Sequence, residues 1–121
     1  MSKDGINWNK LNRDIVESKL GENEAQACPD IFYQNGKYHM FFCYREGLDF
    51  RSNPLRSYRI GYASSVDLIT WVRDDAKINI NASESGWDSE MTCYPYIVDD
   101  IMFYNGNQFG ESGVGYAILN K

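Results

Sequence analysis

Histidine is almost absent from this chain: His39 stands alone among 121 residues. One imidazole, set between apolar neighbours, offers no Ser–His–Asp arrangement and no histidine-rich metal site. Cysteine is scarce and odd in number (Cys28, Cys43 and Cys93), and no pair has Cys-x-x-Cys spacing. With no secretory signal at the start, that count predicts reduced, buried thiols rather than a disulfide framework. The glycosylation sequon Asn81-Ala82-Ser83 is read as chance on the same ground. No apolar run approaches the ~20 residues a spanning helix needs. Positive charge is also short: twelve Lys and Arg face seventeen Asp and Glu, for a net charge of −5. Without a basic stripe the chain is a poor partner for nucleic acid or an anionic membrane. The expectation is a cytoplasmic protein with no metal and no cofactor.

What is present fits a packed domain. Hydrophobic residues make up 43% and aromatics 15%, more than a disordered chain carries. The clearest signal is an internal repeat of three landmarks in fixed order. Ser2, Asp4, Ile6 and Trp8 recur as Ser65, Asp67, Ile69 and Trp71. Glu24, Pro29 and Ile31 recur as Glu90, Pro95 and Ile97. Gly61-Tyr62-Ala63 recurs as Gly115-Tyr116-Ala117. Each unit reads as β. Apolar runs flank Asn35-Gly36, the strongest short hairpin signal, and Asp99-Asp100 separates a second pair. Third strands are expected over 58–63 and 114–119, and a short fourth strand running into each Ser-x-Asp…Trp element. Only 12–20 has a helical look, with Gly21 as a stop. Residues 46–57 form a loop with no counterpart of that length in the second unit.

Four antiparallel strands per repeat with aromatic punctuation predict an all-β chain of two four-stranded antiparallel β-propeller blades. A small sandwich or barrel is the rival. The expected layout is a single partial domain over 1–121: a strand element at 1–10, a first blade at about 22–75 and a second at about 88–121. The landmarks, with the stretches ENEAQACPDIFYQNGKYHMFFCYR and GWDSEMTCYPYI, resemble five-bladed β-propeller glycosidases, above all bacterial members like glycoside hydrolase family 43. The likeness implies a C-terminal two-blade portion, completed by upstream blades or by oligomerisation. It implies carbohydrate as partner and hydrolysis of a glycosidic bond as the parent reaction. A non-catalytic binding module, built head to tail from two-blade chains with residues 2–8 of one copy completing another, is the alternative.

Glycoside hydrolysis needs two carboxyl groups about the scissile bond. Glu24 and Glu90, at equivalent repeat positions before apolar strands, are the first candidates, each with a turn-capping role as the plain alternative. Asp30 follows Cys28-Pro29 as in the family's Cys-Pro-Asp element, although Ala27 stands where the invertase type has its acid. Arg45 and Arg59 could hold a carboxylate or a sugar hydroxyl, or simply bridge strands. Asn105 and Asn107 offer amide donors and acceptors to hydroxyls, or plain turn chemistry. Tyr94 is a sugar-stacking candidate. Trp87 is one too, or packs between blades. Asp67 and Trp71 read as structural, the acid fastening a turn and the indole filling space.

Overall fold

The computed structural model describes residues 2–21 and 23–120. Met1, Glu22 and Lys121, which bound the expected N-terminal element, first blade and second blade, lie outside the described residues. The chain is all-β, in two antiparallel sheets. The first holds β1 (Glu24–Gln34), β2 (Lys37–Glu46), β3 (Arg59–Ser65) and β4 (Val72–Arg73), in that order across the sheet. The second holds β5 (Cys93–Val98), β6 (Ile101–Asn105) and β7 (Val114–Ile118). Among the described residues no helix is long and apolar enough to cross a membrane.

Each repeated landmark is a recurring piece of backbone chemistry. In the first, Asp67 Oδ1 accepts the amides of Ile69 and Thr70 at 2.8 Å, Ser65 Oγ accepts Leu68 N, and Trp71 Nε1 donates to Leu68 O. Asp4 repeats this with Ile6 and Asn7 at 2.9 Å, Ser2 with Gly5, and Trp8 with Gly5. These Asx-type bonds form within seven residues, so the turn folds wherever its sequence occurs. In the second landmark, the residue before each proline takes positive φ (Cys28 at 52°, Tyr94 at 55°), and each strand bulges there, between Ala27 and Asp30 and between Cys93 and Tyr96. The third is a close approach. The faces over Gly61 and Gly115 are taken by the rings of Phe42 and Trp87, and a Cβ at either glycine would collide with them.

Alternation places Met40, Phe42 and Tyr44 of β2 on one face of the first sheet, and Phe41, Cys43 and Arg45 on the other. The first face packs Met40, Phe42 and Ala63 against Val16, with Trp71 at the margin. The second packs Cys43 and Tyr58 against Met91 and Cys93 of the second unit. Across that seam Asp30 Oδ2 accepts Ile97 N at 2.6 Å. The far face of the second sheet carries Tyr96, Phe103, Val114, Tyr116 and Ile118, all exposed.

Several expectations need correction. The second sheet has three strands, not four, and the N-terminal Ser-x-Asp…Trp element forms its turn but no strand among residues 2–10. In the first sheet the short fourth strand leaves the Ser-x-Asp…Trp turn rather than entering it. Residues 12–20 are not helical. Asn12 has φ of 52°, Arg13 reaches Ile69 O with its side chain, and the Lys19 and Leu20 amides bind the Glu24 carboxylate in place of helical carbonyls. Cys28 is exposed on its bulge, while Cys43 and Cys93 are buried. His39 is structural: Nε2 faces Gln34 O at 3.1 Å, which only accepts, so Nδ1 faces the Tyr62 hydroxyl at 2.8 Å as acceptor.

The two copies of the turn differ in what rests on them. Asp67→Ala is expected to lower the thermal midpoint, because that turn delivers β4 to β3. Asp4→Ala is expected to leave it unchanged. Equal losses in parallel melts would contradict this assignment.

Candidate functional site

Antiparallel pairing brings the starts of β1, β3, β5 and β7 to one end of the two sheets, with the finishes of β2 and β6. Glu24, Arg45, Arg59, Glu90, Tyr94, Asn105 and Asn107 all lie at this end. Asp30 sits past the first bulge and commits one carboxylate oxygen to the Ile97 amide.

The Glu24 carboxylate is wholly engaged. Its side chain is 0% exposed and lies 2.6 Å from Arg73 Nη1. Gln26 Nε2 reaches it at 2.8 Å, and the Lys19 and Leu20 amides donate at 2.9 Å each. Arg73 spans the sheet from β4 to β1, over the rings of Phe42 and Tyr44, and also pairs with Asp75. Glu24 therefore belongs to the face covered by Val16, and the structure does not bring its carboxylate to Glu90. Burial alone would raise the Glu24 carboxyl. The bonds from Gln26, Arg73 and the two amides outweigh it and hold the group below the usual carboxylate range.

Glu90 is placed differently. Its loop is tied down by the segment after β6. Asn107 Oδ1 accepts the amides of Glu90 and Met91 at 2.8 and 3.1 Å, and Asn107 Nδ2 donates to Gly86 O and Ser89 Oγ. Ser112 Oγ and Asn107 N both donate to Trp87 O, and Tyr104 OH donates to the buried Asp88. Burial and then the Asp88 carboxylate push the Tyr104 phenol up to about 12. Arg59 anchors the loop from the first sheet, donating to Glu90 O at 2.8 Å and to Tyr58 O and Pro54 O. The backbone around Glu90 is thus fixed, while among the described residues its half-buried carboxylate meets only Gln108 Nε2, at 3.4 Å. Asn107 spends its amide on this scaffold. Asn105 pairs in the sheet and packs its side chain at Gly110. Trp87 packs on Gly106 and Gly115 and, tilted by 32°, on Tyr104 of its own unit.

Beside Glu90 runs a stack that no motif announces. The Arg45 guanidinium lies 3.7 Å from the Phe50 ring centroid and 5.4 Å from that of Tyr58. Arg51 covers Phe50 and Phe109 at 5.0 and 5.1 Å. Tyr94 and Phe109 each lie 6.0 Å from Tyr58. Phe109 and Tyr94 hold φ of 58° and 55°, sparsely populated for bulky side chains, and such strain gathers at functional positions. Phe50, Arg51 and Phe109 escape sequence reasoning because they meet only in three dimensions. The signal that could have found them is the unmatched loop 46–57. Beneath the stack the buried thiols of Cys43 and Cys93 are pushed up to about 12 by desolvation, which leaves them unreactive. Among the described residues no three His, Cys, Asp or Glu side chains converge as metal ligands.

No family model matches the chain. It is 33% identical, over an alignment covering 99% of its length, to Uncharacterized protein Rv1502 of Mycobacterium tuberculosis (strain ATCC 25618 / H37Rv) and equally to Uncharacterized protein MT1551 of strain CDC 1551 / Oshkosh. It spans 38% of the length of those relatives. Among solved structures it is similar to a glycoside hydrolase, with TM-score 0.60 at 17% identity over 78% of this chain and 32% of that one. It is also similar to a BT0996 RGII complex, with TM-score 0.53 at 18% identity over 69% of this chain and 27% of that one. The chain has a glycosidase-like fold.

The Glu24 network carries a pH signature. Its carboxyl is more acidic folded than unfolded, so its stabilisation is full above the unfolded value near 4.5 and is lost as pH falls through the folded one. Glu24→Gln is expected to cost about 2 kcal/mol at neutral pH and to flatten the acid limb. Urea titrations from pH 3 to 7 test this, and parallel profiles for the two proteins would refute it.

Proposed function

We propose that the chain is a two-blade portion of a glycosidase-like β-propeller that handles carbohydrate, with Glu90 as its acid and Arg45, Tyr94 and the neighbouring aromatics as its sugar-facing frame. The observation that carries this reading is the fixed Glu90 loop. Its carboxylate stays nearly unpartnered, beside aromatic faces, at the end where the two sheets meet. A carboxyl group held by its backbone and free at its tip suits proton transfer to a glycosidic oxygen. Hydrolysis requires a second carboxyl. Glu24 is committed to Arg73, which makes it a positioning group, and Asp30 has one oxygen bound across the seam. The parent reaction therefore draws its second acid from Asp30 or from parts of a longer protein. This chain alone is expected to bind oligosaccharides without appreciable turnover. Calorimetric titration against an oligosaccharide panel, with Tyr94→Ala weakening any binding, tests the reading. No binding to any member would end it, and robust turnover abolished in Glu90→Gln would show that the chain is catalytically self-sufficient.

A second reading is favoured by the N-terminal turn. Trp8 is 71% exposed on a turn built like the one that leads Val72–Arg73 onto β3, while the outer edge of β7 has no strand beside it among the described residues. Residues 2–10 of a second copy would fit that edge and make a head-to-tail assembly. Light scattering coupled to size exclusion should give a closed oligomer that deletion of residues 2–10 dissociates. An assembly that survives the deletion excludes this contact.

A further inference from the structure

We infer that the Arg45–Phe50–Arg51–Phe109 stack is an acidic-sugar subsite, selecting oligosaccharides that carry a carboxylate on the ring. The inference rests on the carbohydrate reading above and adds a ligand class to it.

The charge distribution is the first ground. The chain is acidic overall, yet Arg45 and Arg51 share the Phe50 ring and Arg59 reaches the Glu90 loop, so three guanidiniums gather at the end that also holds Glu46, Asp49 and Glu90. Arg73 pairs with Glu24 and Asp75, Lys19 with Asp75 and Lys77 with Asp74, all away from this end, and the exposed Asp49 beside Phe50 pairs with Arg56 rather than with Arg45, Arg51 or Arg59. Arg45 donates to a backbone carbonyl, and its Nε is buried without a hydrogen-bond partner among the described residues. Arg59 gives its bonds to three backbone carbonyls, and burial pushes its guanidinium below the usual value. Arg45 and Arg59 are half-buried and bonded to carbonyls, which leaves their charge uncompensated, and an anion supplied by a ligand would neutralise it.

Geometry is the second ground. Stacking on a ring uses the face of a guanidinium and leaves its edge of N–H donors free. That planar edge matches a carboxylate, oxygen for nitrogen. Arg51 is exposed, so its edge is open to a ligand. The half-buried rings of Phe50 and Phe109 beside it offer an apolar surface to the C–H face of a sugar. Glu90 lies across Gln108 from Phe109. A ligand carboxylate would be repelled there, so its place is on the Arg45–Arg51 side, with the glycosidic oxygen towards Glu90.

The probe is tetragalacturonate, compared with its fully methyl-esterified form, which has the same rings without the charge. Titration of the whole chain at low salt should give about tenfold tighter binding of the acid form, and added salt should erase most of the difference. Arg51→Gln, at an exposed position that leaves the fold intact by circular dichroism, should bring the acid form down to the ester, and Arg51→Lys should restore part of the gap. Equal binding of acid and ester overturns the carboxylate subsite while the carbohydrate reading stands. A preference for the acid form that survives both Arg51→Gln and Arg45→Gln overturns the assignment to this stack. Failure of both probes and of every neutral oligosaccharide removes the carbohydrate reading, and this inference with it.

Discussion

A four-stranded sheet with apolar side chains on both faces needs two covers, and that need organises this protein. Met40 and Phe42 on one face are covered by Val16, drawn in from an irregular segment. Cys43 and Tyr58 on the other are covered by Met91 and Cys93 of the second unit. Burying a side chain the size of Phe42 or Met40 contributes on the order of 2 kcal/mol, so neither cover is dispensable. Two polar contacts lock the second cover in register, Asp30 to the Ile97 amide and the Tyr94 amide to Cys43 Sγ. The second sheet has only one such partner. Its far face, with Tyr96, Phe103, Tyr116 and Ile118, remains exposed.

The candidate site depends on that seam. Arg45 comes from β2 and Tyr58 from the residue before β3, Tyr94 and Phe109 come from the second unit, and these groups meet only while the sheets are packed. Tyr94 and Phe109 sit at positive φ, each at a cost of about 1–3 kcal/mol that the surrounding bonds must offset. The Asn107 amide and the Arg59 guanidinium supply those bonds by fixing the backbone of 86–91 from both sides. The result is a rigid scaffold under a carboxylate that has little to hold it, a division of labour suited to a binding or reacting group.

What the sequence made legible was the local chemistry. The Ser-x-Asp…Trp turn, the X-Pro bulges and the Asn-Gly hairpin each close within a few residues, so their residue types declare them. Asn35 and Gly36 adopt the positive φ that such a hairpin demands. What stayed hidden was set by partners far along the chain. Glu24 looks like the equal of Glu90 until Arg73, forty-nine residues on, takes its carboxylate. The helical look of 12–20 lost in part to Arg13 reaching Ile69, fifty-six residues on. Phe50 and Phe109 lie in loops of different units, and nothing local ties them. Cys28 followed the composition rule for buried thiols and broke it, because a bulge turns its side chain out.

The twin turns have an optical consequence. Trp71 is packed at the margin of a core and Trp87 lies on Tyr104, whereas Trp8 stands 71% in water on the same hydrogen-bonded frame. Indole emission moves to shorter wavelength as its surroundings lose water, so one of the three indoles is set to report what the other two cannot. Whatever settles on the N-terminal turn, whether a second copy or a neighbouring part of a longer chain, will be recorded as a blue shift in the protein's own fluorescence, with no label attached.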